Sequence, residues 1–362
     1  MSGPDKRFMA LALSLGRRGM GRTWPNPAVG CVITQGNRIV GRGWTAPGGR
    51  PHGETQALKQ AGAAACGATA YVTLEPCAHT GQTPPCVDAL IGAGIARVVV
   101  AIEDPDSRVA GQGLARLRGA GIAVETGVLA DQARADHLGF LCRISEGRPM
   151  VTLKLATSLD GRIATASGES RWITGPAARR AVHAMRLTHD AVLIGAGTAR
   201  TDDPSLTVRD FGPVPQPVRI VASAHLNIPQ DSKLVQSAAQ VPLWLLHAPG
   251  AATDAWVDTP ARLLSVNTDG SGHLDPAAML RALAAQGLTR VFCEGGGALA
   301  ACLLKAGLVD RVALFTAGKV IGAEGLPAIA HLGLDRLAAA PEFQIHDHRT
   351  LGADALTLLH KR

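Results

Sequence analysis

Aromatic side chains are scarce in this 362-residue chain, making up 3% of it with a single Tyr. Single-stranded nucleic acids are bound largely by stacking bases on exposed rings, so this scarcity argues against such a partner. No run of five basic residues occurs, although the formal net charge is +7. Dispersed positive charge is usually a solvated surface, and a basic balance also suits phosphorylated small molecules. No stretch of eighteen apolar residues is present, and Arg17 and Arg18 end the first apolar stripe. The expectation is a cytoplasmic protein with no membrane partner and no secretory leader. The even set of cysteines that a disulfide framework needs is also lacking. There are seven: Cys31, Cys66, Cys77, Cys86, Cys142, Cys293 and Cys302. An odd number in a chain this long fits a reducing compartment.

What is present is concentrated between residues 52 and 86. The segment holds His52-Gly53-Glu54, then Glu75-Pro76-Cys77-Ala78-His79, and Cys86 directly after Pro84-Pro85. A His, two Cys and a Glu that binds no metal form the functional set of zinc deaminases. Eight residues separate Cys77 from Cys86, unlike the short ligand spacings of structural zinc fingers. Three protein ligands leave the fourth zinc position open for water, whose pKa falls to about 7. Glu54 can take the proton of that water and hand it to a ring nitrogen and a departing amine. The expected reaction is hydrolytic loss of ammonia from a nucleobase-like ring. His79 as a fourth ligand would close the site, so it is read as facing substrate. The bland alternative is a closed zinc knuckle or buried free cysteines. Cys31, Cys66 and Cys142 are read in that second way, as small apolar residues.

The length suits two domains. Phe8, Leu11, Ala12 and Leu15 give Pro4 to Arg18 one apolar helical face. Strand-like runs follow at 28–33 and 38–43, then a helix from Glu54 whose N-terminus holds His52. A strand at 70–74 leads toward Cys77, and Pro84-Pro85 opens a helix at Cys86. A strand at 97–102, a helix at 114–120 and a strand at 123–127 complete an alternating α/β pattern. Residues 131–147 are richer in charge, and the domain boundary is placed at Glu146-Gly147-Arg148-Pro149. Domains of 1–147 and 148–362 result. In the second, strands are expected at 150–155, 191–195, 218–222, 241–247, 291–293 and 311–315. Helices are expected at 176–187, 276–286 and 298–306. Residues 248–275 carry no sharp motif.

Cys293-Glu294-Gly295-Gly296-Gly297 follows a strand and opens a helix, a place where backbone amides can approach an anion. A tight strand-to-helix turn is the plainer reading of those glycines. Small and hydroxylated residues also end two other strands, at Thr157-Ser158 and at Gly195-Ala196-Gly197-Thr198. Three such strand ends suit a dinucleotide lying across an α/β sheet edge, although the usual Gly-rich fingerprint is missing.

These segments identify a family. The chain resembles, over essentially its whole length, the bifunctional riboflavin biosynthesis deaminase/reductase. Pro25-Asn26-Pro27-Ala28-Val29-Gly30, His52-Gly53-Glu54, the block Glu75 to Cys86, and Asp104-Pro105 carry the first half. Ser158-Leu159-Asp160-Gly161, Ser167-Gly168-Glu169-Ser170, Trp172-Ile173-Thr174, Asp202-Asp203-Pro204 and Glu294-Gly295-Gly296 carry the second. The resemblance implies a cytidine-deaminase-like layered α/β domain followed by a dihydrofolate-reductase-like α/β domain. It implies zinc-dependent deamination of a diaminopyrimidinone ribosylamino phosphate, then NADPH reduction of the ribosyl group to ribityl. Zinc falls to His52, Cys77 and Cys86, with Glu54 as the proton carrier. By position, Asn26 and Asp104 would hold the pyrimidine. Ala156, Trp172, Thr198, Asp202, Ser223 and the loop Gly296, Gly297, Ala298, Leu299, Ala300, Ala301 and Cys302 would contact NADPH. Ser170, Arg186, Leu206, Arg209 and Glu294 would contact substrate, the two arginines as phosphate partners. Lys154 would stabilise charge or relay a proton. A homo-oligomer is implied as well.

This sequence departs from the family pattern at Thr45, Gly53, Gln82, Asp106 and Ser107. Losing a positive charge at Gln82 and gaining a negative one at Asp106 would weaken the grip on a phosphorylated substrate. Asp160 and Glu169 are read as turn or cap residues, and His137, His183, His189 and His225 as chemically idle. Two rivals remain at this point. One is a nucleic-acid-editing deaminase, disfavoured by scarce aromatics and dispersed charge. The other is a deaminase with a degenerate second domain, disfavoured by Lys154, Asp202, Glu294 and the Gly-rich turn.

Overall fold

A computed structural model describes residues 3–79, 84–106 and 110–362. The chain divides into two compact units, Met1–Gly147 and Arg148–Arg362. Each has its own sheet and its own core.

In the first unit, α1 (Gly3–Gly16) leads to β1 (Gly30–Gln35), β2 (Arg38–Trp44), α2 (Gly53–Ala61) and β3 (Thr69–Val72). Then come α3 (Cys86–Gly92), β4 (Arg97–Val100), α4 (Gln112–Gly119), β5 (Ala123–Thr126) and α5 (Ala130–Glu146). The sheet order is β2-β1-β3-β4-β5. β1 runs antiparallel to both neighbours, whereas β3, β4 and β5 run parallel. Phe8, Met9, Ala12 and Leu13 of α1 join Val32, Tyr71, Val72 and Val98–Val100 of the strands in one apolar core. Strands so thoroughly buried read as the continuous apolar runs seen in the sequence.

Close helix–strand packing sets the position of α2. A Cβ at Gly43 of β2 would lie 2.2 Å from the Gly53 carbonyl oxygen, and one at Gly41 equally close to that of Ala57. Glycine at these two points lets the helix lie directly on the strand. That brings the N-terminus of α2, where His52 is the N-cap, to the carboxyl end of β3.

α5 was not anticipated. Its charges, read as a linker composition, occupy the outward face of an amphipathic helix. Ala133, His137, Gly139 and Cys142 are buried. Gly147, in the left-handed conformation at φ 67°, ends it.

The second unit contains β6 (Met150–Thr157), β7 (Arg162–Ala164), α6 (Pro176–Leu187), β8 (Ala191–Gly195), α7 (Ala196–Asp202), β9 (Val218–Ala222) and α8 (Lys233–Gln236). It continues with β10 (Leu243–His247), β11 (Arg262–Ser265), α9 (Pro276–Ala285), β12 (Arg290–Cys293), α10 (Gly297–Lys305) and β13 (Arg311–Ala317). β14 (Leu326–Pro327), β15 (Phe343–Leu351) and β16 (Asp354–Lys361) end it. Nine strands form one sheet in the order β11-β10-β9-β8-β12-β6-β13-β16-β15, and β7 pairs separately with β14. From β11 to β13 the strands are parallel, and the hairpin β15–β16 is added antiparallel. The carboxyl ends of β6, β8, β9 and β12 therefore open on one edge, the usual ligand crevice of such sheets. A bidentate ion pair between Arg148 and Asp310, at 2.7 Å for both contacts, fastens the start of the unit, and Asp310 also accepts the Val151 amide.

The C-terminal hairpin and β11 were unread in the sequence. β15 alternates weakly and leaves most of its side chains exposed, and β11 is a four-residue edge strand. Neither carries the buried periodicity that marks a strand. Among the described residues no helix is long and apolar enough to cross a membrane.

Candidate active sites

In the first unit, three side chains from separate elements converge. His52 caps α2, Cys77 follows the exit of β3, and Cys86 opens α3. Their ligand atoms all lie within 4.8 Å of one another. His52 Nδ1 is 3.2 Å from the Cys86 sulfur and 3.6 Å from that of Cys77. Zinc–ligand bonds of about 2.0–2.3 Å at tetrahedral angles separate ligand atoms by roughly 3.5–3.8 Å, so this triangle fits the ion. The Cys86 backbone N–H points at the Cys77 sulfur, 3.3 Å away. Without the ion, contact with Cys86 lowers the Cys77 thiol, while Cys77 and burial push the Cys86 thiol up.

Glu54 sits in the first turn of α2, 2% exposed, and its Oε2 is buried without a hydrogen-bond partner. Burial raises its carboxyl above the usual range, opposed by the neighbouring His52. An orphaned carboxylate oxygen beside three metal ligands is a ready acceptor for a proton on bound water, and it is the second feature that fits zinc. His79 is exposed, and it is not among the atoms that converge.

Around the triangle, Asn26 donates its side-chain amide to the Gly49 carbonyl at 3.1 Å. Asp104 is buried, and its Oδ1 accepts the Asp106 amide at 2.9 Å. Desolvation lifts the Asp104 carboxyl to about 6, with the charges of Asp106 and Glu75 adding to it. Thr45 is 1% exposed, accepting the Val29 amide at 3.0 Å and donating back to its carbonyl. It fastens the core at this point. A Cβ at Gly53 would lie 2.8 Å from that same Val29 carbonyl oxygen. Glycine relieves this contact. Gln82 and Ser107 lie outside the described residues.

In the second unit, α7 and α10 start at the ends of the adjacent strands β8 and β12. Thr198 Oγ1 accepts the Gly296 amide at 3.1 Å and ties the two starts together. A Cβ at Gly195 or Gly197 would meet nothing within 4 Å, so the mouth above them is open. First-turn amides have no intrahelical acceptor, and a phosphate suits them. This cradle fits the pyrophosphate of a dinucleotide. Trp172 is 63% exposed, with the Arg179 guanidinium 4.5 Å from its ring centre, and its carbonyl accepts from Lys319.

Beside the cradle lies a charged cluster. Glu294 accepts two hydrogen bonds from Arg186, at 2.6 and 3.0 Å, and Arg186 also donates to the Thr207 carbonyl. Burial would raise the Glu294 carboxyl, but Arg186, then Lys154 and His183, hold it below the usual range. His183 accepts the Arg209 amide at 3.3 Å; burial and the two arginines lower its imidazole.

The comparisons with known proteins match this picture. Residues 2–102 match the cytidine and deoxycytidylate deaminase zinc-binding region, and 149–357 match the RibD C-terminal domain. The chain is 42% identical to riboflavin biosynthesis protein RibD of Escherichia coli, covering 97% of both. The chain belongs to the RibD family. Acinetobacter baumannii RibD superposes with a TM-score of 0.90 at 36% identity, covering 99% of both chains. A Thermotoga maritima structure, described as a diaminohydroxyphosphoribosylaminopyrimidine deaminase/5-amino-6-(5-phosphoribosylamino)uracil reductase, gives 0.87 at 31% identity over 99% of both. As a RibD protein the chain is a bifunctional deaminase and reductase of riboflavin biosynthesis, with zinc and NADPH as cofactors. The expected fold, a cytidine-deaminase-like α/β domain followed by a dihydrofolate-reductase-like α/β domain, is borne out, the second half matching as the RibD reductase domain.

Against this RibD frame, several residues named from sequence take roles in the scaffold. The segment Gly296–Cys302 is not a loop: helix α10 begins at Gly297, because an Ala/Leu run continues a helix better than a turn. Ala300 and Ala301 are buried, whereas Ala298 in the first turn is exposed. Leu206, at φ 54°, packs into an apolar core with Ile194 and Val221. Ser223 Oγ accepts the Asn227 amide, and the Asp202 carbonyl accepts from Arg171. Ala156 packs beside Phe315, and Ser170 is half-buried. The sequence places Glu75 in the cysteine block without a role and leaves His183 idle; the contacts of both are with backbone amides distant in sequence.

Proposed function

We propose that residues 1–147 perform the deamination and residues 148–362 the reduction, in that order, on one phosphorylated pyrimidine. The first substrate is the diaminopyrimidinone ribosylamino phosphate, and the second is the aminouracil it becomes. The Thermotoga maritima relative bears the names of these two activities. The observation that carries the reading is the triangle of His52, Cys77 and Cys86 beside the unpartnered Glu54 Oε2.

Zinc, when bound, supplies a water acidic enough to react at neutral pH. Glu54 takes the proton of that water, and its raised affinity for protons suits it to pass one to the ring nitrogen and then to the leaving amine. The bond from ring carbon to amine breaks and a carbonyl forms, so one water enters and one ammonia leaves. Asn26 and the Asp104 carboxyl hold the ring in place.

NADPH, when bound in the reductase unit, would supply a hydride to the ribosyl carbon, with the sugar's ring C–O bond breaking and its oxygen needing a proton. Lys154, in the field of Glu294, supplies that proton or offsets charge. Thr198, Ser223, Asp202, Ala156 and Trp172 border the cofactor, and the first turn of α10 (Gly297, Ala298, Leu299) faces its phosphates. Arg209, which is exposed, meets the substrate phosphate. Arg186 clamps Glu294, which with Ser170 orients the sugar, and Leu206 contributes its backbone.

Incubating the purified protein with the diaminopyrimidinone phosphate tests this. Ammonia should appear without cofactor, and a gain of two hydrogens only with NADPH. Reduction that precedes deamination, or neither change, contradicts the reading. We place the protein in the cytoplasm and read β15, an edge strand with Ile345 64% exposed, as the pairing edge for a second copy. Light scattering should then give at least twice the 37.4 kDa chain mass.

A further inference from the structure

Glu75 is 3% exposed, and its carboxylate is spent wholly on main chain. Oε2 accepts the amides of Asp104 at 3.2 Å and Gly111 at 3.1 Å. Oε1 accepts those of Gly113 at 2.9 Å and Leu114 at 3.2 Å. Two of the four belong to the first turn of α4, so the carboxylate also serves that helix start, where negative charge is favourable. Gly113 is fitted to the joint: a Cβ there would lie 2.3 Å from the Pro76 carbonyl oxygen and 3.0 Å from Glu75 Oε1. The amide of Glu75 itself donates to the Ile102 carbonyl at 3.0 Å, extending the β3–β4 pairing to this point. Two residues later the chain reaches Cys77.

We propose that Glu75 is a positioning residue of the deaminase: its carboxylate fixes the main chain at Asp104, and so the Asp104 carboxyl, relative to the strand exit that delivers Cys77. This rests on Asp104 binding the pyrimidine, as proposed above. A backbone loop held only at its ends would leave Asp104 free to drift, whereas four charge-assisted hydrogen bonds converging on one buried carboxylate leave it one place. Replacing the carboxylate by an amide removes acceptors for about half of these donors and sets an NH2 group against backbone N–H groups.

The test is a double-mutant cycle of Glu75→Gln and Asp104→Asn, read as deaminase KM and kcat, with zinc content and reductase activity measured on the same full-length samples. Glu75→Gln should raise deaminase KM about tenfold while kcat changes about threefold or less, with zinc and reductase at wild-type levels. In the Asp104→Asn background the same change should add little, because both act through one contact. Gly113→Ala, which presses on the same joint from the other side, should repeat the KM signature. Full additivity of the two substitutions overturns the proposal, as does wild-type KM in Glu75→Gln. Loss of zinc or reductase activity in Glu75→Gln also overturns it, because the role is then structural. An Asp104→Asn protein with unchanged KM instead rejects Asp104 as a pyrimidine ligand.

Discussion

In the N-terminal unit, the three candidate metal ligands are side chains at most 34 positions apart, with their ligand atoms within 4.8 Å of one another. In the C-terminal unit, Arg186 and Glu294 meet across 108 positions, and the proposed cofactor cradle is main chain at two strand ends. The first site is a side-chain constellation that one loop, one helix start and one helix cap bring together. The second exists only once the parallel sheet has closed. A metal site tolerates variation around it, such as Thr45 and Gly53, so long as its few ligand atoms stay put. A site made of strand ends depends on clamps such as Thr198–Gly296 and Arg186–Glu294.

That contrast can be broken first at the ligands. Cys77→Ala should abolish bound zinc and lower deamination by about 10³-fold or more, because the Lewis acid is lost. NADPH-dependent reduction of the aminouracil by the same sample should stay near wild type. Equal loss of both activities would erase the distinction. The converse substitution is Arg186→Met, which leaves the buried Glu294 without its cation. Removing one partner of a buried pair costs about 3–5 kcal/mol, so the reductase unit should unfold at lower denaturant while ammonia release persists. Because Glu294 is held below its usual range, the stability it lends in the wild type is present above the unfolded-state pKa. It is lost as pH falls through the lower folded value.

A smaller effect sharpens the picture of the deaminase pocket. Burial pushes the Asp104 carboxyl up to about 6, so the ionised form that the proposed contact with the pyrimidine needs prevails at neutral pH. Deaminase KM should rise by about tenfold as pH falls from 7 to 5, and Asp104→Asn should flatten that profile. Reductase KM should not share it. The smallest effect belongs to the cradle. Thr198→Val removes one hydrogen bond and should raise the KM for NADPH about threefold, with Thr198→Ser near wild type.

How much was legible follows the same divide. His52, Glu54, Cys77 and Cys86 could be named because metal chemistry demands particular residue types at particular places, and most strands of both units were visible as apolar runs. Glu75 could not be read, since its partners are amides of residues 104 to 114, and an amide leaves no mark in a sequence. Helix α5 was hidden because its outward charges looked like a boundary. The hairpin β15–β16 was hidden because a strand exposed on much of its surface has no clear period. In the reductase unit, resemblance supplied residue names that the fold then sorted. Thr198 clamps the cradle, whereas Leu206, Ala300 and Ala301 have side chains in the core.

Deamination as proposed requires Glu54 to move a proton without binding the metal. The most direct measurement is zinc content and ammonia release on a single preparation of Glu54→Gln, whose side chain keeps the shape but cannot take a proton. One zinc per chain with ammonia release reduced by about 10²-fold or more is the expected result. Wild-type ammonia release, or loss of the metal along with the activity, would contradict it.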